Sequence, residues 1–175
     1  MKQNIRQPIP GVRLVGYPTP RGATRTTPST LRTTESAVQR GQCVMVALLK
    51  LKKAGFHPDV VYAHPGWGET LFLKDVFPQA KLIHFCEFYY NTVSQDFNFD
   101  PEFPNNAEDV LRLRIRNLHH LMALEQADIG IAPTVWQQTR FPAAYRSKIS
   151  VIHDGVDTRA IALIPKHSFN SHISV

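Results

Sequence analysis

Four short apolar runs, at 59–63, 81–86, 128–132 and 148–152, limit the folds open to this chain. None of them alternates polar and apolar residues. Strands that are apolar throughout are buried on both faces, and that burial belongs to parallel sheets covered by helices. Helical patterns lie between the runs, so strand and helix take turns along the chain. The expected fold class is therefore α/β, a Rossmann-like parallel sheet with helices on both faces. A fifth, shorter strand is expected at 12–16.

The helical segments carry their own signals. Thr34 is placed to cap a helix reaching about residue 54, with Ala37, Gly41, Val44, Leu48 and Leu51 on one face and Gly55 as its stop. Gly41 on that face predicts a close approach to the sheet. A helix is expected over 69–77, ended by Pro78. Asn106 is placed to cap a single helix over about 107–127, with Glu108 and Asp109 in its first turn. Leu111, Ile115, Leu118 and Met122 form the expected inner stripe of that helix. Thr134 and Gln137 have the spacing of a capping box. Residues 18–28, rich in Pro, Thr, Arg and Gly, and residues 91–105 read as loops. The long second loop is of a kind that is usually functional or disordered.

Composition narrows the class further. A hydrophobic content of 43% suits a globular protein, and no apolar run approaches the roughly 18 residues of a membrane span. The first eight residues lack the apolar core of a signal peptide, so a cytoplasmic location is expected. Cys43 and Cys86 are far apart in sequence and read as reduced thiols. The net charge of +6 is uneven: residues 1–57 hold ten Lys or Arg against one acid, Glu35. That excess suits an anionic partner or a solvated face. No aromatic residues interleave with these basic residues as a nucleic-acid platform would want, so no nucleic-acid partner is expected.

Three expected strand ends carry polar chemistry, and in an open α/β sheet ligands gather at that edge. His64, Gly66, Trp67, Gly68 and Glu69 follow the first run. Glycines there let backbone approach a ligand, or serve a turn with Trp67 as a packing lid. Glu87, Tyr89 and Tyr90 follow the second run. A carboxylate beside two phenols could bind sugar hydroxyls or act as a general base; it could also pair with a nearby cation, with the aromatic rings in the core. His153, Asp154, Gly155 and Asp157 follow the last run and read foremost as a turn in which an acid caps its own backbone. No phosphate-cradling G-x-x-x-x-G-K-[ST] loop is present. His119 and His120 point about 100° apart on a helix, and His57, His84, His167 and His172 are scattered, so no metal site is expected.

Taken in order, three segments go beyond fold class: 58–69; 85–90 with 99–104; and 127–128 through 133–137 to His153-Asp154-Gly155-Val156-Asp157-Thr158. Together they resemble the N-terminal, acceptor-side domain of family 4 (group 1) glycosyltransferases over roughly 10–160. That resemblance implies half of a GT-B architecture. It implies a retaining, metal-independent transferase without a cofactor, whose co-substrate is a nucleotide-sugar. Its partner would be a saccharide or lipid-linked acceptor, in polysaccharide or glycoconjugate assembly, with possible peripheral contact at the inner face of the membrane. It places His64 to Glu69 and Glu87 to Tyr90 on the acceptor side of the cleft, where Glu87, read above as a general base, is the candidate catalytic residue.

The resemblance also implies missing parts. Such domains open with a strand, a glycine-containing loop, a helix and a second strand before the point at which this chain starts. The donor domain with its paired glutamates has no counterpart here. The expected organisation is an N-terminal arm (1–11), an incomplete glycosyltransferase domain (12–158) and an atypical tail (159–175). Such a fragment is expected to be inactive alone and to expose an apolar sheet edge. The alternative reading is a non-catalytic Rossmann-like binding module, whose basic surface meets a partner protein or an anionic membrane.

Overall fold

A computed structural model describes residues 9–93, 95 and 97–161. The expectations for 1–8, for 162–175 and for His167 and His172 lie outside the described residues. The elements are α1 (Arg32–Lys53), β1 (Val60–Ala63), α2 (Leu73–Val76), β2 (Lys81–Phe85), α3 (Ala107–Arg116), α4 (Leu118–Gln126), β3 (Ile129–Ala132), α5 (Val135–Arg140), α6 (Ala143–Arg146) and β4 (Ile149–Val151). The four strands form one sheet in the order β1-β2-β3-β4, and every pairing is parallel. The α/β class and the parallel sheet flanked by helices are as the sequence predicts.

The register sorts the strand residues onto two faces. Val61, Ala63, Leu82, His84, Gly130, Ala132 and Ile149 share one face. Helices cover it: Met45 and Leu48 of α1 pack with Val61, Val76, Phe77 and Ala80, while Leu124 of α4 packs with Cys86, Ala132, Phe141 and Ile149. The opposite face carries Val60, Tyr62, Ile83, Phe85, Ile129 and Ile131, none of them buried. Val60 and Tyr62 are 54% and 59% exposed. Among the described residues the apolar runs are thus buried on one face and half-buried to exposed on the other, where the sequence predicts helical cover on both.

The expected strand at 12–16 does not form; these residues are irregular and lie outside the sheet. Among the described residues β1 is an edge strand with Val60 and Tyr62 exposed, the apolar edge that the sequence also predicts.

α1 starts at Arg32, two residues before the expected cap, directly from a 3₁₀ turn at Ser29–Leu31. Thr34 lies inside the helix, and its hydroxyl donates to the Ile115 carbonyl at 3.4 Å. Glu35 in the first turn accepts from Arg21, the Thr24 amide, the Thr27 hydroxyl and Gln39. The one acid of the basic third therefore folds the Pro/Thr loop back onto the helix. Those bonds, led by Thr27, hold its carboxyl below the usual range. Gly55 ends α1 as expected. At φ +88° its amide bonds Lys52 O, and the Phe56 amide bonds Leu51 O, which together make a Schellman motif.

Gly41 does admit a close approach, though of the loop after β1 and not of the sheet. A Cβ there would lie 2.7 Å from the Gly68 carbonyl oxygen. A Cβ on Gly68, at φ +95°, would lie 2.3 Å from the Ala37 oxygen. The expected helix over 69–77 shortens to Leu73–Val76, with turns before it.

The long helix is broken. Asn106 caps it as expected, and Asp109 reciprocates to complete a capping box. At Asn117 the helix is interrupted between α3 and α4. The buried Asn117 amide group accepts from the Tyr90 N–H at 3.1 Å and donates to the Tyr90 carbonyl at 2.7 Å. The side chain thus pairs both main-chain polar groups of Tyr90, as a neighbouring strand would. The break also moves the inner face. Leu111, Leu118 and Met122 are exposed, and His119, His120, Ala123, Leu124 and Ala127 are buried instead. The two-sided polar demand of the Tyr90 peptide outweighs the helical stripe read from sequence.

Asn117→Ala should lower the unfolding free energy by about 1–3 kcal/mol, because it removes the side chain that pairs both main-chain polar groups of half-buried Tyr90. Urea unfolding measures this. A loss no larger than that of an exposed helix position would remove the clamp from the argument.

Candidate functional site

The strand register brings the carboxyl ends of β1 and β2 side by side, with Ala63 opposite His84. His64 and Glu87 extend from these neighbouring ends, and His64 Nε2 lies 3.0 Å from Glu87 Oε2. The Gly66 amide donates to His64 Nδ1 at 3.0 Å, so that nitrogen is an acceptor. The ring proton therefore sits on Nε2 and is donated to the Glu87 carboxylate. Glu87 Oε1 has no protein partner among the described residues. Gln137 Nε2 donates to the Glu87 carbonyl at 3.1 Å and fixes its backbone.

This pair lines a cleft of about 610 Å³, with Trp67, Glu69, Val44 and Leu48 on its other walls. Trp67 is 61% exposed and carries the Arg40 guanidinium 5.6 Å from its ring centre. Glu69 Oε1 accepts from the Tyr17 hydroxyl at 2.9 Å and lies 3.6 Å from Arg40 Nε. Burial, with the Glu69 bond second, pushes the Tyr17 phenol up to about 12. Glu69 therefore ties the N-terminal segment to the cleft wall.

Other expected site residues lie elsewhere. Tyr89 packs into the core against Phe141 and His120, and burial raises its phenol. The Tyr90 ring lies beneath the Arg116 guanidinium at 4.1 Å and against Phe88. Neither tyrosine lines the His64–Glu87 cleft. Gly68 faces Ala37, and a Cβ on Gly66 would strike the His64 ring at 2.5 Å, so both glycines have internal packing reasons. His153 repeats the turn of His64: the Gly155 amide donates to its Nδ1 at 2.9 Å. Asp157 Oδ1 accepts from the amides of Arg159 and Ala160, which is the self-capping turn read from sequence. Thr134 caps α5, and Gln137 bonds its hydroxyl; the Gln137 amide group then reaches Glu87 and does not close a capping box.

Sequence reading missed Arg40, Arg116 and the reach of Gln137 to Glu87, and it did not foresee how many histidines are buried. The repeated His-x-Gly at two strand ends was an available signal for the shared turn. Buried His84 lies on β2, and buried His119 and His120 lie on α4. Both ring nitrogens of His84 and of His120 have no hydrogen-bond partner among the described residues. Burial, helped by Lys148 and His64, brings His84 down to about 4. Burial, helped by His119 and His64, brings His120 down to about 3. Among the described residues, no group of three or more His, Cys, Asp or Glu is arranged to hold a metal ion. Cys43 and Cys86 are free thiols, and burial pushes Cys86 up to about 12.

The family model described as Glycosyl transferase family 4 group matches residues 1–161. The chain belongs to that family. A search of curated proteins finds no match. Membership brings a glycosyltransferase domain and, in general terms, sugar donor and acceptor substrates. The match includes residues 1–11, which the sequence reading set apart as an arm. Among the described residues of this family 4 chain, no helix is long and apolar enough to cross a membrane.

The three depressed histidines, His84, His119 and His120, fix a direction for pH. As pH falls through 6.5, the unfolded chain takes up their protons and the native chain does not, so stability drops. The loss is at most about 1.4 kcal/mol per pH unit for each histidine. The lowered carboxylates of Glu35, Glu108 and Asp128 begin to lose their contribution only below about pH 5. Urea unfolding between pH 6.5 and 4.5 should therefore show falling stability, and His120→Leu should flatten the slope. An unchanged slope in that variant would show that His120 is not held neutral.

Proposed function

We propose that the cleft bounded by His64, Trp67, Glu69 and Glu87 is the acceptor wall of a retaining, nucleotide-sugar-dependent glycosyltransferase of polysaccharide or glycoconjugate assembly. The observation that carries this reading is the oriented His64–Glu87 pair at the carboxyl edge of a family 4 sheet. His64 donates to one oxygen of Glu87 and leaves the other facing substrate. That oxygen accepts the acceptor hydroxyl and holds its oxygen for attack on the anomeric carbon of the donor. A carboxylate acceptor makes a stronger hydrogen bond than a neutral one, so it orients a sugar hydroxyl well. The exposed Trp67 face offers an apolar surface for a sugar ring.

In this reading the nucleotide-sugar is a co-substrate, and the acceptor is a saccharide or a lipid-linked sugar. A lipid-linked acceptor would bring the chain to the inner, cytoplasmic face of the membrane as a peripheral contact. The basic charge of the first 57 residues supports that placement.

The test is acceptor binding, read by saturation-transfer NMR on the 175-residue chain with a panel of neutral oligosaccharides. Glu87→Gln should weaken the best ligand about tenfold, and Trp67→Ala by a similar factor. A panel without a binder, or a binder indifferent to both variants, would overturn the assignment.

A further inference from the structure

We propose that a second pocket, sharing Trp67 with the cleft, binds a phosphoryl group carried by the acceptor. This deepens the proposed function and rests on it for the word acceptor; the anion site itself stands on separate residues. The pocket holds about 360 Å³, and Arg32, Ser36, Arg40, Trp67, Arg116 and His119 are among the residues that line it. No carboxylate lines it.

Three arginines line it from two elements, α1 and the end of α3. Gathering like charges costs free energy unless an anion offsets it. Only Arg40 has a carboxylate nearby, Glu69 at 3.6 Å, which it shares with the Tyr17 hydroxyl. Arg32 and Arg116 have no carboxylate within ion-pair distance among the described residues. Arg32 is held instead by its Nε donating to the Thr27 carbonyl at 3.1 Å, and Arg116 by the Tyr90 ring at 4.1 Å. A carbonyl and a ring face position these groups without neutralising them. Their remaining N–H donors suit the several oxygens of a phosphate.

His119 is the independent observation. It is 3% exposed, and its Nε2 donates to the Gly66 carbonyl at 3.1 Å. Its Nδ1 is buried with no partner among the described residues. An unsatisfied buried nitrogen on the wall of a cationic pocket fits a ligand that brings its own polar atoms. Trp67 separates the two sites: its ring borders the cleft, and its carbonyl accepts from Arg40 Nη1 at 3.1 Å. A sugar on one side and its phosphate on the other would span it.

The ligand class is therefore a phosphate ester of a sugar, either free in solution or part of a lipid headgroup. Calorimetry on the full chain with inorganic phosphate should show saturable binding. Arg32→Gln and Arg116→Gln should each weaken it about tenfold, while Lys50→Gln, at the other end of α1, leaves it unchanged. If Arg116→Gln unfolds the chain, the exposed Arg32→Gln decides alone. No saturable binding, or equal weakening by Lys50→Gln, overturns the site. Flotation with equimolar phosphatidylcholine and phosphatidylglycerol vesicles identifies the source. Flotation that inorganic phosphate competes away and Arg32→Gln abolishes supports a headgroup. Tighter binding of glucose 1-phosphate than of inorganic phosphate, without flotation, supports a soluble ester. Phosphate binding that persists when no neutral oligosaccharide binds would sink the acceptor-wall reading and leave the anion site standing.

Discussion

The backbone crossing of α1 over the loop after β1 sets the geometry of everything at the carboxyl edge. Gly41 and Gly68 are both required to be small, because each would place a Cβ well inside contact distance of the other segment's backbone. That contact brings Arg40 to the Trp67 carbonyl and to Glu69, and it sets Val44 and Leu48 as a cleft wall. A larger residue at either position would lift the helix and separate the cleft from the arginine pocket. Two glycines far apart in sequence thus control the spacing of the whole face.

The fold was legible where a single local rule decides. Apolar runs marked the four paired strands, Gly55 marked the end of α1, and Asn106 marked the start of α3. Reading failed where a distant partner competes. Thr34 looked like a cap because its type fits, yet the helix begins at the 3₁₀ turn and Thr34 reaches Ile115 instead. The stripe Leu111, Ile115, Leu118 and Met122 assumed an unbroken helix, and nothing within that segment announces that Asn117 serves the Tyr90 peptide. Residues 12–16 have strand-like composition but find no strand to pair with. Composition alone cannot supply the partner.

At the site, His64 and Glu87 were legible because each stands at the end of an apolar run, and parallel pairing of adjacent strands makes such ends neighbours. Tyr89 and Tyr90 were drawn in by their proximity in sequence. The chain past a strand end turns, and those rings follow it into the core and beneath Arg116. The arginine pocket was hidden because its members come from α1, α3 and α4, whose mutual packing depends on the glycine crossing and on the Asn117 break. The basic excess of the first 57 residues recorded its charge without its shape.

The two faces of the sheet place different demands on the sequence. Leu82, Ala132 and Ile149 fill a space whose volume the helices fix, so those positions tolerate only side chains of similar size. Ile83, Phe85 and Ile131 point from the same strands toward no such mould. Along each strand, then, editable and uneditable positions alternate residue by residue. The outward set tolerates more change than the inward one, except at Phe85, whose ring lies 5.9 Å from that of His64 and so ties this face to the cleft.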